Sequence, residues 1–126
     1  MKLVVIESPY AGDVETNVGY AKRCFWDCLL RGEAPYASHL LFTQEGILDD
    51  RDPEERLLGL SAGLAWSKKA EIVAVYLDLG ISVGLRHGMQ SATKAGIRVE
   101  PRRLDSEVSE EDVKAVYEAC TDGVFP

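Results

Sequence analysis

The sequence is short of cysteine and histidine, holds fewer basic than acidic residues, and has no long apolar run. Each shortage closes off a class of function. Three cysteines, Cys24, Cys28 and Cys120, are an odd count, and the first two stand four apart on a predicted helix, sharing a face without readily bridging. Reduced thiols are expected, not a disulfide framework. His39 and His87 are the only histidines and belong to neither cysteine cluster, so neither a metal site nor a cofactor is expected. Lys and Arg number 14 against 21 Asp and Glu, a formal net charge of −7. With no basic stripe of interleaved aromatics, this opposes binding to a nucleic-acid polymer or an anionic membrane. The longest apolar stretches, at 3–6 and 72–77, fall far below the roughly 20 residues that span a bilayer. Met1-Lys2 leads directly into a strand-like run without a signal-peptide pattern, and a cytoplasmic location is expected.

What is present reads as one α/β domain over 126 residues, with no repeat and no low-complexity tract. The apolar period alternates between strand-like and helix-like segments. Strands are predicted at 2–7, 36–42, 71–77 and 98–103, with helices at 14–30, 53–66, 82–94 and from about 109 to 120. The first and third strands are Val- and Ile-rich runs, and the alternation of strands with helices is as expected of a parallel sheet with helices on both faces, a flavodoxin or Rossmann-like arrangement. In the first helix Val14, Val18, Ala21, Phe25, Cys28 and Leu29 are expected to face the sheet. Asp52, Pro53 and Glu55 form a helix-start signal, as do Ser109 and Asp112.

In such a sheet ligands bind outside the strand C-termini, where the strand order reverses. Four segments therefore converge: 8–13, 39–52, 78–84 and 100–105. The first offers Ser8, Pro9, Tyr10 and Gly12, with Asn17 one helical turn beyond. Tyr10 either stacks on a base or sugar or covers the edge of the core. His39, beside Ser38 near the second strand end, is either a satisfied core residue or a member of the site, and Thr43 and Gln44 add neutral hydrogen-bonding groups. Asp78, directly after a buried strand, either binds sugar hydroxyls or caps its own turn. Gly80-Ile81-Ser82-Val83-Gly84 has the G-x-S-x-G spacing of a nucleophile elbow. The only histidine after Ser82 is His87, five residues on in the same helix, where it cannot easily turn back to the serine. Ser82 as a helix cap, with Gly80 and Gly84 letting a phosphate or sugar approach the amides, is the better reading.

These residues resemble the nucleoside 2-deoxyribosyltransferase-like superfamily, and more closely its small phage and bacterial members. Pro9-Tyr10-x-Gly12 with Asn17-Val18-x-Tyr20-Ala21 is similar to its first loop and helix, Ser38-His39-Leu40 to its second strand end, and Ser82-x-Gly84-Leu85 with Ala92 to its third loop and helix. The resemblance implies a flavodoxin-like sheet, a homo-oligomer whose subunits complete each other's sites, and a ligand with an N-glycosidic bond. It also implies a D-x-G-T-x-x-E pattern carrying a glutamate nucleophile. Here Ser82 stands in the aspartate's place and Gly88 in the nucleophile's. Glycine cannot form a glycosyl ester. Two readings follow: a domain that binds a nucleoside- or nucleotide-derived molecule, sensing or sequestering it, or an enzyme that cleaves or exchanges the N-glycosidic bond with a surrogate carboxylate, Glu7, Asp78 or Glu100.

Overall fold

The run Val4, Val5 and Ile6 is apolar on both sides, and in the computed structural model, which describes residues 1–121, it is buried on both faces at the centre of a sheet. The chain passes through β1 (Leu3–Glu7), α1 (Val14–Leu30), β2 (Ala34–Tyr36), α2 (Ser38–Leu41), α3 (Pro53–Ser67), β3 (Ile72–Tyr76), α4 (Val83–Lys94), β4 (Arg98–Arg102) and α5 (Glu110–Thr121). All strands are parallel, in the order β2-β1-β3-β4. On one face Val4, Ile6, Ala74 and Tyr76 pack against Tyr20, Cys24 and Cys28 of α1. On the other, Val5, Val73, Val75 and Leu77 pack against Leu85 and Met89 of α4 and Val116 of α5. Both helix-start signals form: the Asp52 carboxylate accepts from the amides of Glu54 and Glu55, and Ser109 and Asp112 cap one another's amides.

Two expectations are corrected. The apolar stretch 36–42 is not a strand. β2 covers only Ala34–Tyr36, and Ser38–Leu41 form a helical turn. β2 is an edge strand bonded to β1 alone, so Pro35 sits in it without forfeiting a ladder bond. Beyond Tyr36 the amides of Leu40 and Phe42 find local partners in the carbonyls of Ala37 and Ser38. His39 therefore stands on α2. The face of α1 is also turned from the one expected. Asn17, Tyr20, Ala21, Cys24 and Cys28 are buried, while Val14 and Leu29 are 40% and 48% exposed. The polar groups of Asn17 and Tyr20 find partners inside, so helical spacing outweighs side-chain polarity.

Under the α1 face lies Arg102, 2% exposed, whose guanidinium donates to both carboxylate oxygens of Glu33 at 2.7 Å and to Glu100. The hydrogen bonds from Arg102 hold the Glu33 carboxyl below its ordinary pKa. That stabilisation is present above the ordinary carboxylate range and is lost as pH falls through the folded-state value. Glu33→Gln should destabilise the fold by about 3 kcal/mol in urea titrations at pH 7, because it leaves a buried guanidinium short of its partner. The difference from wild type should shrink in acid.

Candidate functional site

The strand order reverses at β1. Its successor β2 lies on one side and β3 on the other, so the loops leaving β1 and β3 diverge. A cavity of about 280 Å³ opens at that point. Its sheet end is made by Glu7 and Ser8, one side by Tyr10 and Ala11, another by residues 82–85 at the start of α4, and its far wall by α2 and α3.

Strand alternation decides which acids reach it. Glu7 shares the parity of Val5 and so lies on the α4 face, whereas Asp78 shares the parity of Ala74 and Tyr76 and lies on the α1 face. The Glu7 carboxyl comes against Gly88 of α4, and a side chain built on Gly88 would collide with it. Burial pushes the Glu7 pKa up to about 8. His39 enters the cavity from α2, and its Nε2 is 2.8 Å from the Ser8 hydroxyl. Burial lowers its pKa to about 4, so at neutral pH it is an uncharged imidazole. The Tyr10 and His39 rings meet edge to face, with centroids 6.2 Å apart.

Of the residues expected at a site, the structure brings Glu7, Ser8, Pro9, Tyr10, His39, Ser82 and Gly84 together around this cavity. Gly12, Asn17, Gly80 and Asp78 stand outside its lining. The Asn17 amide donates to the carbonyls of Tyr10 and Ala11 and so shapes the loop that carries Tyr10. Gly12 and Gly80 have φ of +99° and +86°, turns that favour glycine. Asp78 accepts from the Tyr20 hydroxyl and the Leu104 amide, tying β3 to α1 and to the segment after β4. Its carboxylate pKa is lowered by those hydrogen bonds even though burial acts in the opposite sense. Ser82 caps α4 by accepting from the Leu85 amide.

Sequence reasoning missed the contribution of α3, whose Glu55, Arg56, Gly59 and Leu60 complete the wall. A signal was present: Gly59, Gly63 and Ser67 recur every four residues, a stripe of small residues marking close approach. A Cβ on Gly63 would stand 2.9 Å from the Ser38 side chain of α2. Among the described residues no three His, Cys, Asp or Glu side chains stand together in a way that could hold a metal ion. No helix of the described residues is long and apolar enough to cross a membrane.

An open parallel sheet of this order with a cavity at its reversal point is a doubly wound α/β domain. The chain belongs to the DUF7768 family, a domain of unknown function matched over residues 2–102. No curated protein matches the sequence. Among solved structures, a 2-deoxyribosyltransferase from Bacillus psychrosaccharolyticus is similar with a TM-score of 0.62 at 16% identity, over 90% of this chain and 81% of that one. The CMP N-glycosidase BcmB of Clostridium botulinum is similar with a TM-score of 0.50 at 10% identity, over 94% and 82%. The fold is thus the one found in nucleoside deoxyribosyltransferases and N-glycosidases.

The raised Glu7 pKa has a sign that denaturation can read. Between the ordinary carboxyl value of 4.5 and about 8 the folded chain holds a proton that the unfolded chain releases, so stability falls as pH rises through that window. Glu7→Gln, which keeps the shape and removes the titration, should be more stable than wild type by on the order of 2 kcal/mol at pH 8.5. The two should converge near pH 4.

Proposed function

We propose that the chain binds a nucleoside or close derivative in this cavity, the base against the Tyr10 ring, the sugar toward Ser82 and the bond between them toward Glu7. The observation that carries the reading is the joining of an aromatic wall, Tyr10 with His39, to the polar groups of Glu7, Ser8 and Ser82 at the reversal point of the sheet. The volume lies at the small end of ligand pockets and suits a single nucleoside better than a dinucleotide. Among the lining residues Glu7, Asp50 and Glu55 are acids and Arg56 is the one strong cation. This balance favours an uncharged nucleoside over a phosphorylated one. A second reading, cleavage or exchange of the ligand's N-glycosidic bond, is favoured by one observation, the buried Glu7 carboxyl at the sheet end of the cavity.

The family resemblance also implies a homo-oligomer, and α3 offers a surface for one. Leu57, Leu58, Leu60 and Trp66 are all more than half exposed on a helix that also walls the cavity. The four are spread around the helix, and a second copy covering the side that carries Leu57 and Leu58 accounts for those two. Sedimentation equilibrium should then give a mass above the 13.9 kDa of one chain, and a Leu57→Lys, Leu58→Lys double variant should return the monomer. A monomeric wild type would remove this assembly.

Binding is tested by a thermal-shift screen of common nucleosides and their 5′-monophosphates, followed by calorimetry. A ligand at a hundred times its Kd should raise stability by about 2.7 kcal/mol, with nucleosides ahead of the monophosphates. Tyr10→Ala should weaken binding by about 1 to 3 kcal/mol, and unchanged affinity would refute the stacking role.

A further inference from the structure

We propose that Glu7, reaching from the end of β1 into the room left by the glycine at 88, is the acid that protonates the departing base when an N-glycosidic bond is broken in the cavity. The inference rests on the nucleoside reading above and gives the site a reacting group. Its first support is positional. A Cβ built on Gly88 would lie 2.6 Å from the Glu7 carboxyl carbon and 2.9 Å from Oε2, with Oε1 closer still. In a glutamate the carboxyl carbon is two bonds from its own Cβ, about 2.5 Å by standard bond lengths and angles. The carboxyl of Glu7 therefore stands about as far from the Cβ point of position 88 as a carboxyl carried by that position would. Strand β1 carries a carboxyl here where α4 carries none. Any side chain at 88 would exclude Glu7, so the glycine is a condition of the arrangement.

The second support is chemical. The carboxyl borders the cavity, and no hydrogen bond or ion pair engages it among the described residues, which leaves it available to a bound molecule. The charged and titratable groups around the same cavity are His39 on α2, Glu55 and Arg56 on α3, Asp50 in the loop before α3, and Tyr10. α4 presents Leu85 to the cavity, and its Gly88 lies against the Glu7 carboxyl. Glu7 retains its proton up to about pH 8, where an ordinary carboxyl would have lost it, and His39 is uncharged and has none to spare.

The reaction is hydrolysis. The Glu7 carboxyl gives its proton to a nitrogen of the base, the C1′–N bond breaks with its electron pair going to the base, and water bonds to C1′. The proton released by that water returns to the Glu7 carboxylate, so one nucleoside and one water become a free base and a free sugar, and the enzyme is unchanged. No nucleophilic ester is required, which agrees with the absence of a side chain at 88.

The test incubates the purified protein with the common ribonucleosides and 2′-deoxyribonucleosides and follows free base by chromatography, with calorimetry on the same panel. Wild type should release base from a nucleoside that it binds, and the rate should fall about tenfold per pH unit above about pH 8 as the proton is lost. Glu7→Gln should cut release at least a hundredfold while changing Kd less than tenfold, and Gly88→Ala, which displaces the carboxyl, should reduce release as well. Binding without base release by wild type would overturn the inference and leave the binding reading standing. Equal release by folded Glu7→Gln, or a wild-type rate that climbs through pH 8, would also overturn it. No binding by any nucleoside would overturn both readings.

Discussion

The parallel pairing of β1 with β3, from Val4 opposite Ile72 to Glu7 opposite Val75, is the constraint on which the rest depends. It sets the reversal of strand order and thereby the crevice. It also sets the register at which each strand ends, and so which side chain stands last on which face. A slip of one residue would turn Glu7 from α4 toward α1, where Tyr20, Cys24 and Cys28 leave no cavity for a carboxyl. The position of the acid is a property of the sheet as much as of the residue.

The two faces of that sheet do different work. On the α1 face, polar groups are joined to one another: Arg102 with Glu33 and Glu100, Tyr76 with Asp27, Asp78 with Tyr20. Burial raises the Cys24 and Cys28 thiols above their ordinary pKa, which makes them poor nucleophiles. Those groups hold elements together and have little capacity left for a ligand. On the α4 face the strand ends open onto space, and there no partner among the described residues engages the Glu7 carboxyl.

Much of this was legible in the residue order. The Val- and Ile-rich strands β1 and β3 form the centre of the parallel sheet, and the helix-start signals at Asp52 and Ser109 formed. Convergence of Ser8, Tyr10, His39 and Ser82 followed from topology alone. Separation of Glu7 from Asp78 was within reach through strand alternation, but nothing in the sequence tells which helix covers which face, so the two acids looked equivalent. The region after Tyr36 was misread because a short helical turn and a strand carry the same apolar composition, and only the edge position of β2, with Pro35 in it, separates them. The wall supplied by α3 depended on a contact between segments far apart in sequence, and the stripe Gly59, Gly63, Ser67 signals closeness without naming its partner.

The scarcity of buried side chains on α3 has a consequence for how a ligand gets in. Gly63 and Ser67 are its only buried residues, so shape holds this helix to α2 more than apolar area does. Swinging it outward in the isolated chain uncovers little greasy surface, and such a movement costs much less than unfolding the sheet. The cavity is thus a rigid floor under a door hung on small residues and on the Trp66 ring against Tyr36, with backbone amides in α3 exchanging with solvent ahead of those in α1 and α4. The traffic of molecules would be governed by the wall that does not carry the Glu7 carboxyl.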